Sequence, residues 1–318
     1  MQKSDGWNSH PSNYALWNNS FDRSWLFVAL DKETNSAIAS ITVADSRTRN
    51  GEKLCLVGFY YCIPERRNQG IGSILFRKVM QIVGDNNAVI SGGVNSDGYN
   101  TAIHYQQKYG FDKVYPFYNA SIKIKMTDLI AEPLDDNEKN EILEVIFIRD
   151  EHIIFAKFVM MVNIRDPNDS NMTDSQIDEF DATIYEMDRI KFLKGWITEE
   201  GAHTVILTDK RDDKIVAMCC LREFSGGEIL IAPLFAINQK LAVFALQAAL
   251  LKAGQRLSEF KHFTSIFPSS NIEAAKWVFS KFSKVPAEAN IQSWTEFRKR
   301  MIFQDCDKVF SSIPRAGG

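Results

Sequence analysis

The chain has 318 residues, long enough for about two domains, and its 45% hydrophobic and 12% aromatic content lets each half bury a core. A net charge of −3, with acids and bases interspersed, leaves no basic stripe of the kind that nucleic acid or an anionic membrane attracts. The apolar runs are interrupted and too short to span a bilayer, no N-terminal stretch has a signal-peptide layout, and the five cysteines contain no CxxC pair, so the expectation is a cytoplasmic protein with reduced thiols.

In chain order, SWLFVAL (24–30) and SAIASITVA (36–44) are β-rich runs joined by DKETN, a hairpin loop. KLCLVGFYYC (53–62) is a third strand. GSILFRKVMQIVG (72–84) places Ile74, Leu75, Val79, Ile82 and Val83 at helical spacing. AVISGGV (88–94) reads as a buried strand, YNTAIHYQQKYG as a helix closed by Gly110, and FDKVYPFYNASIKIK as the last strand material of this half. Two acidic, polar stretches follow, 131–141 and 165–181, both read as connectors without a packing face. The first sets a boundary near residue 133, giving domains 1–133 and 134–318; the second serves as an alternative boundary.

The second half repeats the order. HTVILTD (203–209) and KIVAMCCLREF (214–224) form a hairpin, and GEILIAPLF (227–235) a strand. NQKLAVFALQAALLKAGQ (238–255) is a long helix, HFTSIF (262–267) a strand, SNIEAAKWVFSKF (270–282) a helix and WTEFRKRMIF (294–303) a closing strand. The pattern predicts an α/β fold in which a mixed sheet flanked by helices occurs twice.

Chemistry concentrates in YYCIPERRNQGIGSILF (60–76). Pro64 ends the strand because it cannot donate to a ladder. Gly70 and Gly72 let the backbone turn and approach a ligand, and the helix that follows aims its N–H groups and positive dipole end into the loop beside Arg67. These features suit a phosphate or diphosphate; a tight turn with solvated arginines is the plain alternative. A Walker A loop is excluded because Ser-Ile follows Gly72, and a dinucleotide fingerprint because Leu75 replaces its third glycine.

The segment resembles the acyl-CoA loop of the GNAT superfamily of N-acyltransferases. Arg67-Asn68-Gln69-Gly70-Ile71-Gly72 fits its Arg/Gln-x-x-Gly-x-Gly/Ala signature, with Asn68, tolerant of positive φ, where a glycine is usual. Ala102-Ile103 and Lys108-Tyr109-Gly110-Phe111 resemble the family's final motif. DGWNSHPSNYALW, DRSWLFVALD, EMDRIKFLKGWI, IAPLFA and EFRKRMIF extend the likeness to tandem GNAT proteins of the YitH-like type, nematode members included. The resemblance implies two tandem GNAT-like domains. The first lacks the usual first strand, since little room precedes Asp5-Gly6-Trp7, and the second is degenerate.

It also implies acetyl transfer from acetyl-CoA to an amine of a small molecule or a protein, without a metal. Backbone N–H groups of Tyr61, Cys62 and Ile63 would hold the pantetheine arm and polarise the thioester. Arg67, Asn68, Gln69, Gly70, Ile71, Gly72 and Ser73 would hold the diphosphate. Gln106 stands where the family often places an acidic tyrosine, which makes Tyr105, one residue earlier, the candidate acid. A packed helix residue is the other reading of Tyr105, as a surface residue is of His104, the candidate base. The asparagine expected three residues before Ala102 is displaced to Asn100.

The second half has no Arg-x-x-Gly-x-Gly, although Asn271 and Ala274 keep the family's Asn-x-x-Ala spacing; Trp196, Phe224, Phe235 and Trp277 are candidate liners of a groove between the halves. A non-catalytic acyl-CoA-binding or interaction protein is the alternative to an enzyme, and a ligand-free scaffold the third reading.

Overall fold

The computed structural model describes residues 12–93, 100–130, 148–149, 152–153, 162–169, 172–224 and 226–313. Helix α1 (Asn13–Ser20) precedes an antiparallel meander of β1 (Arg23–Leu30), β2 (Ala37–Thr48) and β3 (Lys53–Cys62). Helix α2 (Ile71–Val83) buries Leu75, Phe76, Val79 and Val83 on the sheet, the one-sided spacing of an amphipathic helix. It leads to β4 (Asn87–Gly92), parallel to β3. Helix α3 (Thr101–Tyr109) is capped by the Asn100 side chain, which accepts from the N–H groups of Ala102 and Ile103, and ends at left-handed Gly110. The displaced asparagine is thus a helix cap. β5 (Lys113–Val114) and β6 (Asn119–Lys125) follow.

β7 (Ile148–Arg149) and β8 (His152–Ile153) pair only with each other. Then come β9 (Val162–Arg165), α4 (Asp174–Ala182), β10 (Met187–Asp188) and α5 (Ile190–Thr198). The meander recurs as β11 (Ala202–Asp209), β12 (Ile215–Phe224) and β13 (Glu228–Ala236). Helix α6 (Gln239–Ala253), β14 (His262–Pro268) parallel to β13, α7 (Ile272–Ser280) and β15 (Ala289–Phe297) repeat the rest, and β16 (Val309–Ser311) ends the described chain. The duplicated order expected from the sequence is present.

One expectation needs correction. Residues 165–181 are not merely a connector: α4 opens with a capping box at Thr173 and Gln176 and buries Ile177, Phe180 and Asp181. The expected boundary near residue 133 lies outside the described residues.

The two halves also exchange their last strands. The main sheet runs β1-β2-β3-β4-β15-β6-β14-β13-β12-β11-β9. β15, from the second half, pairs with β4 of the first through Trp294–Gly92, Thr295–Ser91, Glu296–Ile90 and Phe297–Val89. β6, from the first half, pairs along its length with β14 of the second. Each closing strand therefore completes the other half's sheet.

Three clusters of buried side chains fill the fold. One lies between the first meander and helices α2 and α3 (Ile41, Phe76, Tyr105, Phe111). Another packs α6 and α7 on the second meander. The third, on the opposite face, joins α1, α4 and α5 to strands of both halves, with Trp17, Phe180 and Trp196 beside Leu56, Phe235 and Phe297.

Candidate functional site

Strand β3 carries the first piece of the site. Its register against β2 jumps between Thr42–Gly58 and Ser40–Tyr61, so β3 holds one extra residue, and Phe59 there has φ +46°. Against β4, β3 pairs only at Leu54, Cys55 and Leu56. Beyond Leu56 the two strands part, and residues 58–62 border the opening.

The direction of each amide follows from strand alternation. The Ile63 N–H donates to the Ile38 carbonyl at 3.0 Å, so it does not face the opening. Two residues back, Tyr61 turns its N–H toward β2 as well, and Cys62 turns its own away. Of the three amides expected to meet the pantetheine arm, Cys62 alone has the right direction; Ile63 and Tyr61 leave the set. Burial raises the Cys62 thiol's pKa, with Arg67 pulling the other way, so it is a wall rather than a nucleophile.

The loop is built as the sequence predicts. After a 3-10 turn over Pro64–Arg66, Asn68 (φ +60°) and Gly70 (φ +80°) take left-handed conformations. Gly70 caps α2 with no side chain to occupy the helix's first amides. The first helical bond runs from Ile74 N–H to the Gly70 carbonyl at 3.1 Å, so the N–H groups of Ile71, Gly72 and Ser73 precede the ladder. Arg67 is anchored at the end of β3 by its Nε donating to the Cys62 carbonyl at 3.1 Å. A second cation, Lys108 Nζ of α3, donates to Ser73 Oγ at 2.7 Å. Three helix-start amides and the Lys108 ammonium thus meet where an anion would sit, with Arg67 held at the loop's entry. Gly72 has a further reason to lack a side chain, because a Cβ would run into the Tyr60 hydroxyl.

The second half treats the equivalent helix differently. Asn238 caps α6, its side chain accepting from the Leu241 N–H at 3.0 Å, so this helix start is occupied by its own chain.

Toward the far end of α3 from the loop, Asn100, Ala102, Ile103 and Gln106 form one wall of a cavity of about 380 Å³. Residues 114–118 form another, and Trp294 of β15 closes it. The Gln106 Nε2 donates at 2.7 Å to Oε1 of Glu296, two residues from Trp294 on β15 and therefore on the same face of that strand. Glu296 is 0% exposed, and burial pushes its pKa up to about 7, with the Gln106 bond opposing. Its Oε2 is buried without a hydrogen-bond partner among the described residues.

Tyr105 is packed away from this cavity, stacked at 5.6 Å on Phe76 and near Tyr60. Burial raises its pKa strongly and the Thr101 side chain holds its hydroxyl, so it is a core residue and a poor acid. His104 is half-buried, its pKa lowered by burial and then by Lys108. The expected groove liners also prove to be core: Trp196, Phe224 and Phe235 are buried, and Trp277 packs on the α6–α7 cluster. Trp294 and Glu296 escaped the sequence reading because nothing local shows that β15 joins the other half's sheet. The buried acid in an apolar strand was the available signal.

Comparisons with known proteins bear on the fold. Residues 2–111 match the acetyltransferase (GNAT) family. A putative acetyltransferase from Pyrococcus horikoshii superposes with a TM-score of 0.60 at 14% identity, covering 96% of this chain and 84% of that one. A tandem GNAT protein from the clavulanic acid biosynthesis pathway gives 0.54 at 10% identity, covering 87% and 84%. The Saccharomyces cerevisiae N-myristoyltransferase, solved with bound myristoyl-CoA, gives 0.53 at 12% identity, covering 96% and 77%. No curated protein sequence matches the chain. The fold is that of a tandem GNAT protein.

Proposed function

We propose that the first half binds acetyl-CoA and that the protein transfers the acetyl group to an amine, as a cytoplasmic N-acetyltransferase of the YitH-like tandem type. The observation that carries this reading is the α2 start, where three amides and the Lys108 ammonium meet without a capping side chain, beside a strand that has parted from its neighbour. The diphosphate would lie on Ile71, Gly72 and Ser73, with Arg67 and Lys108 flanking it, and the pantetheine arm would run along β3 past Cys62. In the reaction the neutral amine nitrogen attacks the thioester carbonyl; the C–N bond forms, the C–S bond breaks, coenzyme A leaves as thiolate and the nitrogen's proton passes to solvent. A thiol of pKa near 8.5 needs little help from an acid, so the lack of a tyrosine at position 106 does not forbid the step.

A second reading, a non-catalytic acyl-CoA-binding protein, is favoured by Gln106 being tied to Glu296 and Tyr105 being buried. Ser73→Glu tests the binding common to both. A carboxylate in the first turn suits the helix dipole and faces Lys108, so melting temperature should hold while it repels the diphosphate. Calorimetry should show coenzyme A affinity falling at least 100-fold; unchanged affinity would place the cofactor elsewhere. Amine-dependent release of free thiol then separates enzyme from binder.

A further inference from the structure

The first meander ends in an edge that carries more apolar surface than a free edge normally shows. β1 is the terminal strand of the main sheet and, among the described residues, pairs only with β2. Its eight residues hold no lysine and no proline, the usual guards of a free edge, and Arg23 at its start is the one charge. The irregularity in the ladder is taken up by β2, which sets an extra residue opposite Ala29–Leu30, so β1 keeps its alternation. Trp25, Phe27 and Ala29 pack on the cluster beneath α2, whereas Leu26, Val28 and Leu30 on the other face are 42%, 41% and 51% exposed.

The backbone of the same residues faces outward. The Asp31 N–H donates to the Ser36 carbonyl at 2.9 Å, on the β2 side. Alternation back along the strand turns the N–H and C=O of Ala29, Phe27 and Trp25 toward β2, and those of Leu30, Val28, Leu26 and Ser24 away from it. Flanking charges select the strand that fits this edge. Asp22 and Arg23 precede the apolar run, and Asp31 and Lys32 follow it. An antiparallel copy centred on Phe27 sets Asp22 against Lys32 and Arg23 against Asp31 at both ends, while Leu26 faces Val28 and Leu30 faces Ser24. Centring on Leu26 or on Val28 instead sets Asp31 and Lys32 against uncharged residues. Within the chain Asp22 already pairs with Arg47 and Arg23 with Asp45, so these charges fix the register rather than supply the affinity.

We infer that β1 is a self-association edge: two copies of this chain pair their β1 strands antiparallel about a two-fold axis at Phe27, and the sheet of one molecule continues into the other. The pairing adds about eight ladder hydrogen bonds and covers Leu26, Val28 and Leu30 on both copies. A strip one strand long belongs to the size class of weak, reversible contacts, so the dimer depends on concentration. β1 contributes no group to the α2 start, and the contact therefore stands whether or not the protein binds coenzyme A.

Sedimentation velocity of the full chain from about 1 to about 200 µM spans the affinities of such contacts. The mass should climb from 36.2 kDa toward twice that value. Val28→Lys places a charge opposite the partner's Leu26 and should hold the protein monomeric throughout, with its melting temperature unchanged. Leu26→Lys repeats this should the first variant fold poorly. Ile164→Lys, at an exposed position of β9 on the sheet's far edge, should leave the dimer in place. Hydrogen exchange reads the register: the amides of Leu26, Val28 and Leu30 should gain about tenfold protection from low to high concentration, while that of Phe27, bonded to β2 in either state, should not. A monomer at every concentration, a dimer that survives both β1 variants, or a dimer lost in Ile164→Lys would overturn the inference. So would protection of Leu26 and Val28 that ignores concentration and vanishes when residues 1–11 are deleted, which would make that segment of the same chain the occupant.

Discussion

Glu296 shows how one residue can set a pH response for the whole fold. Its carboxyl keeps a proton in the native state up to about pH 7, against an ordinary value of 4.5. Between those limits the native state holds a proton that the unfolded chain has released, so stability is fully present below pH 4.5 and falls as pH rises through 7. A shift of that size corresponds to roughly 3 kcal/mol. Urea denaturation of Glu296→Gln at pH 5 and pH 8 should show this part of the slope gone. A slope equal to that of the parent would mean the carboxyl is not desolvated.

At the scale of elements, the two helix starts after β3 and β13 differ in how their first turns are capped. Gly70 leaves the first turn of α2 open, whereas Asn238 fills that of α6. This contrast was legible in the sequence, because glycines and an asparagine at a helix entry have fixed physical meanings. So was left-handed Asn68. The α4 segment was not legible: its acids read as solvated, yet Asp178 and Asp181 both pair with Arg49 of the first half, and Asp181 also with Arg189. Its start was hidden in plain view, since Thr173 and Gln176 cap each other, Thr173 Oγ1 accepting from the Gln176 N–H at 3.2 Å and Gln176 Oε1 from the Thr173 N–H at 2.9 Å. Thr173→Ala should cost about 1 kcal/mol in chemical denaturation, the usual value of a lost cap. No loss would mean α4 is held by its buried face alone.

At the scale of the molecule, the halves are joined by charge as well as by strands. Arg189 and Asp181, both fully buried, pair at 2.8 Å, and Arg49, just past β2 of the first half, reaches Asp181 at 3.3 Å and Asp178 at 2.8 Å. Asp181→Ala strands two guanidinium groups, one of them buried, and should cost about 3–5 kcal/mol. Asp178→Ala, at a partly exposed acid, should cost under about 1 kcal/mol. Denaturation midpoints read both, and similar losses would show the network is not centred on Asp181. Strand pairing at this range is what the sequence could not display: WTEFRKRMIF announces a strand but not its neighbour, and Trp294 and Glu296 therefore stayed out of view.

The crossing of β6 and β15 bears on how such a duplicate persists. A copy whose helix start is capped by its own asparagine would ordinarily be free to decay or be lost. Here its final segment is a structural panel of its twin, so deleting it would strip the twin of a sheet neighbour and of an aromatic ring at the cavity's edge. Selection on the first half would then preserve the second half's framework while leaving its α6 start free to drift.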